Sequence, residues 1–248
     1  MLFDAINSGF SPEYVVQLLY GLIVFMLAIS VHESAHGLAA NMLGDPTAKN
    51  LGRITLNPVK HLDLYGVIAM LVFGFGWAKP VPVRPRYMKN ARWGFVITSL
   101  AGPFSNLLLA FVFAILRAVA ILVLANLYVA GQVSSTLLRA VLLFFIIAIN
   151  VNVSLAVFNM LPIPPLDGSR LLTACFPRKW AEFSFRYEQY IQIGLFVLLY
   201  LGAFTGILSG AISAVTDFVT GVVDLIPFGK LSTNEYVFSM LNANYIPR

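Results

Sequence analysis

The chain is short of charge and of cysteine, and each shortage excludes a class of protein. Only 11% of its 248 residues are charged, whereas about a quarter are charged in an ordinary soluble domain. The single cysteine, Cys175, excludes a disulfide within the chain. Internal repeats, low-complexity tracts and an appended soluble domain are also lacking. We therefore expect residues 1–248 to form one domain that is not an ordinary soluble one.

Apolar residues dominate the composition instead. They make up 59% of the chain, and the mean hydropathy is +0.83. Several apolar runs approach the length of about 20 residues that a helix needs to cross a bilayer. These runs predict an all-α polytopic membrane protein with five to six transmembrane helices. We place core spans at about 12–43, 93–117 and 139–176, and additional spans at about 187–204 and 207–226.

The few charges concentrate in one segment, from Asp45 to Arg92. It holds eight Lys or Arg and two Asp, so its net charge exceeds the +5 of the whole chain. Loops rich in Lys and Arg stay on the cytoplasmic side of a membrane. This pattern predicts a multi-pass protein of the cell membrane with its N-terminus outside and its C-terminus in the cytoplasm. It favours contact with the lipid bilayer and argues against a nucleic-acid partner.

The basic segment, 45–92, is also predicted to contain an insertion between two spans. Residues 51–56 form a short β-like pattern that ends at Asn57-Pro58. The apolar run 64–75 is too short for a full span, which favours a re-entrant or interfacial element. Three prolines between Trp77 and Arg86 exclude a helix and suggest an extended edge strand.

The most informative motif is His-Glu-Ser-Ala-His at positions 32–36, inside the first apolar run. On a helix, His32 and His36 project from one face, one turn apart, and can bind one metal ion. Glu33 stands where a zinc metalloprotease has its general base. Ionisable groups at membrane depth are costly, so they are functional candidates by default. The motif predicts one Zn²⁺ per chain, held in part by the two histidines.

A catalytic zinc site needs three protein ligands and an open position. By residue type the third ligand would be His61, which lies in the basic segment. By position Asp167 is the better candidate, because it follows the prolines that break the helix predicted near 139–158. Non-helical backbone at membrane depth is tolerated where it is buried in protein or lines a polar cavity. A carboxylate at such a break favours a bound cation.

These motifs resemble the site-2 protease family of intramembrane zinc metalloproteases. The resemblance rests on His32 to His36, on Leu166-Asp167-Gly168, and on two further stretches at 57–63 and 101–106. It covers nearly the whole chain and implies a compact prokaryotic member without a PDZ-like or CBS domain. It implies hydrolysis of peptide bonds in transmembrane substrates, with Asp167 as third zinc ligand. It also implies that Asn159 orients the substrate or stabilises the oxyanion.

Other residues are assigned roles around this site. Gly102 and Asn106 are predicted to pack beside the active site. Asn159 has an alternative role in an interhelical hydrogen bond. The segments around Ile54 and Val83 are predicted to offer strand edges to an unwound substrate.

Two other functions compete with an intramembrane protease. One is a catalytically silent factor that binds membrane proteins with the same fold, although such proteins usually lose the general base or a ligand. The other is a metal transporter, which would need a pathway of ligands rather than one cluster. The expected partner is a single-span transmembrane protein or peptide. The sequence indicates no oligomeric state.

Overall fold

The computed structural model describes residues 11–73, 76–175 and 178–226 and confirms an all-α architecture. Over these residues it contains no strand and only one isolated β-bridge. Two single 3₁₀ turns, Pro58–Lys60 and Pro85–Tyr87, accompany the helices. The helices are α1 (Pro12–Met42), α2 (Thr47–Asn50), α3 (Leu64–Phe73), α4 (Ala91–Val129), α5 (Ser135–Asn159), α6 (Gly168–Cys175), α7 (Arg178–Tyr200) and α8 (Thr205–Asp224).

Four of the described helices are long and apolar enough to cross a membrane, namely α1, α4, α5 and α8. The span predicted at 187–204 overlaps α7, which is outside this group because charged and polar residues fill its first half. The first span begins as predicted: Ser11 caps α1 by accepting from the Tyr14 amide at 3.2 Å, and Pro12 occupies the first turn. The N-terminal ten residues, and residues 74, 75 and 176 of the predicted elements, lie outside the described ranges.

The core is a bundle of α1, α4 and α5, with α8 packed against α4 and α5. Val24 from α1 meets Ala110, Ala114 and Phe113 from α4, together with Ala148, Ile149 and Val153 from α5, and all are buried. Small residues on α4 let the helix backbones approach closely, as is usual between membrane helices. This bundle fixes the histidine-bearing half of α1 against α4.

Helices α4 and α5 differ from the predicted spans at their ends. The sequence left open whether 118–130 continues the span 93–117, and α4 runs without interruption to Val129. Its 39 residues extend for about 58 Å. Helix α5 begins at Ser135 rather than near 139, because the Ser134 side chain caps it by accepting from the Leu137 amide at 3.2 Å.

The β-like prediction for 51–56 is wrong. These residues form turns and bends, and both main-chain groups of Thr55 bond to side chains instead of a neighbouring strand. Ser34 Oγ accepts from the Thr55 amide at 3.1 Å and donates to its carbonyl oxygen at 2.6 Å. His61 Nε2 donates to the same carbonyl oxygen at 2.8 Å. Because these groups are occupied, residue 55 has nothing left for a β-ladder.

The described part of the predicted re-entrant run is the short helix α3, Leu64–Phe73. Helix α3 has ten residues and is about 15 Å long, half of a typical hydrocarbon core. Its two flanks lie side by side: Leu62 and Ala78 form an antiparallel bridge, and the Lys79 amide donates to the His61 carbonyl at 2.8 Å. A Cβ on Gly66 would lie 2.0 Å from the Trp77 carbonyl oxygen, so the returning chain runs directly against α3. The chain before α3 and the chain after it therefore lie next to each other, as a re-entrant segment requires.

Candidate metal centre

Three buried or half-buried side chains from distant parts of the chain meet at one point. His32 and His36 lie one turn apart on α1, as predicted, and are 5% and 8% exposed. Asp167 Oδ2 is 3.1 Å from His32 Nε2 and 3.2 Å from His36 Nε2. One ligand atom from each residue lies within 4.8 Å of the other two. Two imidazole nitrogens and one carboxylate oxygen are a donor set typical of catalytic zinc.

The break between α5 and α6 places Asp167. Residues 160–167 are non-helical, and α6 starts at Gly168, directly after the aspartate. A Cβ on Gly168 would lie 2.2 Å from the Met160 carbonyl oxygen. Only glycine therefore lets the chain close tightly against the end of α5 and turn Asp167 towards α1.

Hydrogen bonds behind both histidines fix their tautomers. His32 Nδ1 contacts Asn106 Oδ1 at 2.6 Å, and His36 Nδ1 contacts the Thr98 carbonyl oxygen at 2.7 Å. Since both oxygens only accept, each Nδ1 must carry the proton, and each Nε2 is left with its lone pair facing Asp167. Protein metal centres use such outer partners to orient ligating histidines. The three residues present therefore fit a zinc ion.

An asparagine pair links this centre to α5. Asn106 Nδ2 donates to Asn152 Oδ1 at 3.2 Å, and Asn152 Nδ2 donates to the Ala148 carbonyl at 2.8 Å. Both asparagines are fully buried. The bond to Asn152 settles which end of the Asn106 amide faces His32. Asn106 was predicted as a packing residue beside the site, and its contact with His32 gives it the further task of orienting a ligand.

Gly102 lies against the same two imidazoles. A Cβ built on Gly102 would be 2.5 Å from both His32 Nε2 and His36 Nε2. Any side chain at this position would enter the space between the ligand nitrogens. The predicted close-packing role of Gly102 thus becomes a steric requirement of the metal centre.

Glu33 is buried beside the ligands, and a main-chain group holds it. Its Oε2 accepts from the Val81 amide at 2.8 Å, and both residues are 8% exposed. Val81 belongs to the proline-bounded segment after the re-entrant element. Sequence reasoning missed the bonds from Val81 to Glu33 and from His36 to Thr98, because a main-chain donor or acceptor leaves no signature in residue type.

The other residues predicted for the site are His61, Asn159, Ile54 and Val83. His61 is fully buried and bonds to Thr55, so the alternative that it is the third ligand is wrong. The Asn159 amide donates to the Leu155 carbonyl at 3.0 Å within α5. Ile54 packs on α1, with its Cγ1 3.1 Å from the position a Cβ would take on Gly37. Val83 is half-buried in the extended segment.

Comparison with known proteins agrees with this geometry. The model of peptidase family M50 matches residues 20–201, which include all three ligands and Glu33. The chain belongs to peptidase family M50. It is 44% identical over 158 residues to a Bacillus subtilis protein named "Putative zinc metalloprotease YwhC", covering 64% of this chain and 69% of that one.

A second relative in the same family comes from an archaeon. It is the Methanocaldococcus jannaschii protein named "Putative zinc metalloprotease MJ0611", 35% identical over 124 residues, which cover 48% of this chain and 52% of that one. No solved structure matches. The site-2 protease resemblance is thereby confirmed. This M50 protein is a multi-pass zinc metalloprotease, and His32, His36 and Asp167 are the residues placed to hold the zinc.

Proposed function

We propose that this M50 protein is an intramembrane endopeptidase that cleaves single-span membrane proteins near the cytoplasmic side. One observation carries the proposal: the buried zinc-binding triad stands partly on a helix long and apolar enough to span a bilayer. His32 lies ten residues before the end of α1 at Met42, about 15 Å along the helix. With the basic segment 45–92 in the cytoplasm, the site lies within the bilayer and towards that face.

The chemistry follows from the positions of the chain's own residues. Zinc, when bound, acts as a Lewis acid that activates water and polarises the scissile carbonyl. Glu33 accepts a proton from the attacking water and passes it to the leaving amine. Its Oε2 is engaged by the Val81 amide, which leaves Oε1 for proton transfer.

Asn159 is proposed to stabilise the oxyanion. Its amide has two N–H groups, of which the bond to Leu155 uses one. A second N–H directed at the developing negative charge would lower the barrier by about 2.7–4 kcal/mol. Its position at the last residue of α5, eight residues before Asp167, supports this role.

Two features favour an enzyme over the competing functions. A silent binding factor would have no use for a buried carboxylate in the zinc-binding motif, yet the Glu33 carboxylate is buried and held by a 2.8 Å hydrogen bond. A metal transporter would need successive sites. Within the described ranges only one group of three or more His, Cys, Asp or Glu residues can hold a metal ion.

The decisive experiment replaces the general base. We expect Glu33→Gln to retain zinc and to lose cleavage of a model single-span substrate, because the amide cannot accept the proton. Glu13→Gln is the matched control: it removes an exposed carboxylate from the first turn of the same helix and should cleave normally. Cleavage is followed by gel shift of a tagged substrate in proteoliposomes, and zinc by elemental analysis.

Continued cleavage by Glu33→Gln would refute the mechanism. Zinc flux through the liposomes would instead favour the transporter. The inactive variant, purified from its native membrane, should retain single-span proteins that mass spectrometry can identify. Recovery of soluble proteins alone would contradict the proposed substrate class.

Substrate binding is proposed to use the backbone of the extended segment around Val83, with Ile54 as a neighbouring apolar contact. A helical substrate must unwind before attack, and an extended peptide can then bond to an exposed backbone edge. Prolines 80 and 82 have no N–H, and the Val81 N–H is bound to Glu33, so Val83 is the residue of this stretch whose N–H is proposed to bind the substrate. The half-buried Ile54 lies against α1 beside Val81, which precedes Val83 by two residues. The Cγ1 atoms of Ile54 and Val81 are 3.1 and 3.4 Å from the position a Cβ would take on Gly37.

We expect Val83→Pro to raise the KM for a single-span substrate while zinc content stays at the wild-type level. Val83→Ala is the control, because it shortens the side chain but keeps the main-chain N–H. Equal turnover by the proline variant, or an equal loss in the alanine variant, would contradict a main-chain contact at this position.

A further inference from the structure

The hydrogen bond that holds Glu33 comes from one particular peptide unit. The Val81 N–H belongs to the same planar unit as the Pro80 carbonyl. In a trans peptide these two groups point in opposite directions. Whatever binds the Pro80 oxygen therefore fixes the direction in which the Val81 N–H points.

Arg53 binds that oxygen. Its Nη2 donates to the Lys79 carbonyl at 2.7 Å and to the Pro80 carbonyl at 3.3 Å. The peptide unit is thus held at both ends, by a guanidinium on its oxygen and by the Glu33 carboxylate on its nitrogen. A guanidinium bound to the carbonyl oxygen of a peptide unit also strengthens the hydrogen bond that the N–H of that unit donates, since hydrogen bonds in a chain polarise one another.

Arg53 is itself anchored within the insertion and, through Thr55, to the zinc-binding helix. Its own amide donates to the Ala48 carbonyl on α2 at 2.9 Å. Two residues later, Thr55 bonds twice to Ser34, the residue after Glu33. These hydrogen bonds, together with the chain from 53 to 55, link Ser34 on α1 through Thr55, Arg53 and the Val81 peptide back to Glu33 on α1.

We propose that Arg53 is a positioning residue for the general base, acting on Glu33 through the peptide unit between Pro80 and Val81. It keeps Glu33 Oε2 in a fixed bond, so that Oε1 faces the zinc-binding side chains. This inference rests on the proposed role of Glu33. The Arg53 guanidinium donates to main-chain carbonyls rather than to the zinc ligands, so we expect its effect in the catalytic step rather than in metal or substrate binding.

The test compares Arg53→Met with Lys60→Met. Each variant removes one positive charge from the same insertion, and Lys60 also donates to a main-chain carbonyl, that of Gly52 at 3.0 Å. We expect Arg53→Met to lower kcat by roughly 10- to 100-fold, because a misplacement of about 1 Å in a catalytic group can cost that much. The KM and the zinc content should stay within about twofold of wild type. Lys60→Met should keep kcat within about twofold, and Arg53→Lys should restore part of the loss.

A second variant separates positioning from general stability. Glu33→Asp shortens the carboxylate so that it no longer reaches the Val81 amide. In that background Arg53→Met should cause a much smaller loss of kcat than in the wild-type protein. An equal loss in both backgrounds would overturn the proposal, and so would an unchanged kcat in Arg53→Met or an effect confined to KM. Normal cleavage by Glu33→Gln would instead overturn the proposed function itself, so the two failures are distinguishable.

Discussion

At the scale of single residues, the metal centre depends on an absent side chain as much as on the three that are present. Gly102 lets α4 approach the two imidazoles so closely that a methyl group would lie 2.5 Å from each Nε2. Asn106, one turn further along α4, bonds to the reverse side of His32. One turn of α4 thus leaves room for the metal on one side of the ring and fixes the ring's orientation from the other.

We expect Gly102→Ala to lower zinc affinity at least about tenfold, the lower range for changes beside metal ligands. Alanine favours a helix over glycine by about 1 kcal/mol, so the loss should come without loss of helix content. Zinc titration and circular dichroism measure the two effects. The control is Gly210→Ala on α8, where a Cβ would meet nothing within 4 Å. Normal zinc affinity in Gly102→Ala would contradict the steric role.

At the scale of elements, the insertion between α1 and α4 is held by buried polar contacts rather than by regular structure. Asp45 is the clearest case, fully buried just beyond the end of α1. Its carboxylate accepts from the Thr47 hydroxyl, from the Thr47 amide at 3.0 Å and from the Arg84 amide. These bonds attach the segment that carries Val81 to the end of the zinc-binding helix.

This carboxylate makes stability depend on pH. Burial alone would raise the pKa of Asp45, but the hydrogen bonds from Thr47 and from the Arg84 amide outweigh it and lower the pKa below 3.8. A lowered folded-state pKa contributes stability above the unfolded pKa, and this contribution disappears as the pH falls through the folded value. Asp45→Asn, which loses part of these bonds, should therefore reduce the free energy of unfolding by about 1–3 kcal/mol near neutral pH.

Thermal unfolding in detergent from pH 7 to pH 3 checks this expectation. The difference in Tm between the wild type and Asp45→Asn should be constant down to about pH 4 and should then narrow. Glu13→Gln, which changes an exposed carboxylate, should show no such difference. A difference in Tm between the wild type and Asp45→Asn that stays constant to pH 3 would contradict the lowered pKa of Asp45.

The sequence predicted the elements whose signal is local, and it failed where tertiary contacts decide. The spacing of His32 and His36, the cap at Ser11 and the short apolar run at 64–75 each carry their own pattern, and the structure bears them out. The segment 51–56 has a strand-like composition, but side chains from α1 and from position 61 occupy the backbone of Thr55. No local pattern records such a contact.

At the scale of the whole molecule, the side of the membrane on which the C-terminus lies depends on whether α7 crosses the bilayer. It has 23 residues, about 34 Å of helix, which is enough to cross a hydrocarbon core of about 30 Å. Yet its charged first half keeps it apart from the four apolar spans. If α7 crosses, the termini lie on opposite sides of the membrane, as the positive-inside pattern predicts.

Cysteine labelling in a Cys175→Ser background tests this topology. We expect a membrane-impermeant thiol reagent, added outside intact cells, to label Ser134→Cys in the loop before α5 and to leave Lys49→Cys unlabelled. Ala203→Cys, between α7 and α8, should also be labelled because α7 carries the chain outward. Protection of Ala203→Cys would place α7 on the cytoplasmic side and the C-terminus outside.

The main-chain bond to Glu33 has a consequence for how this enzyme can vary. Every residue type except proline provides the N–H that Val81 donates. Other apolar residues that fit against α1 can therefore replace Val81 without weakening the hydrogen bond to the general base Glu33. In related sequences that keep this bond, we expect various apolar residues at position 81 and an absence of proline.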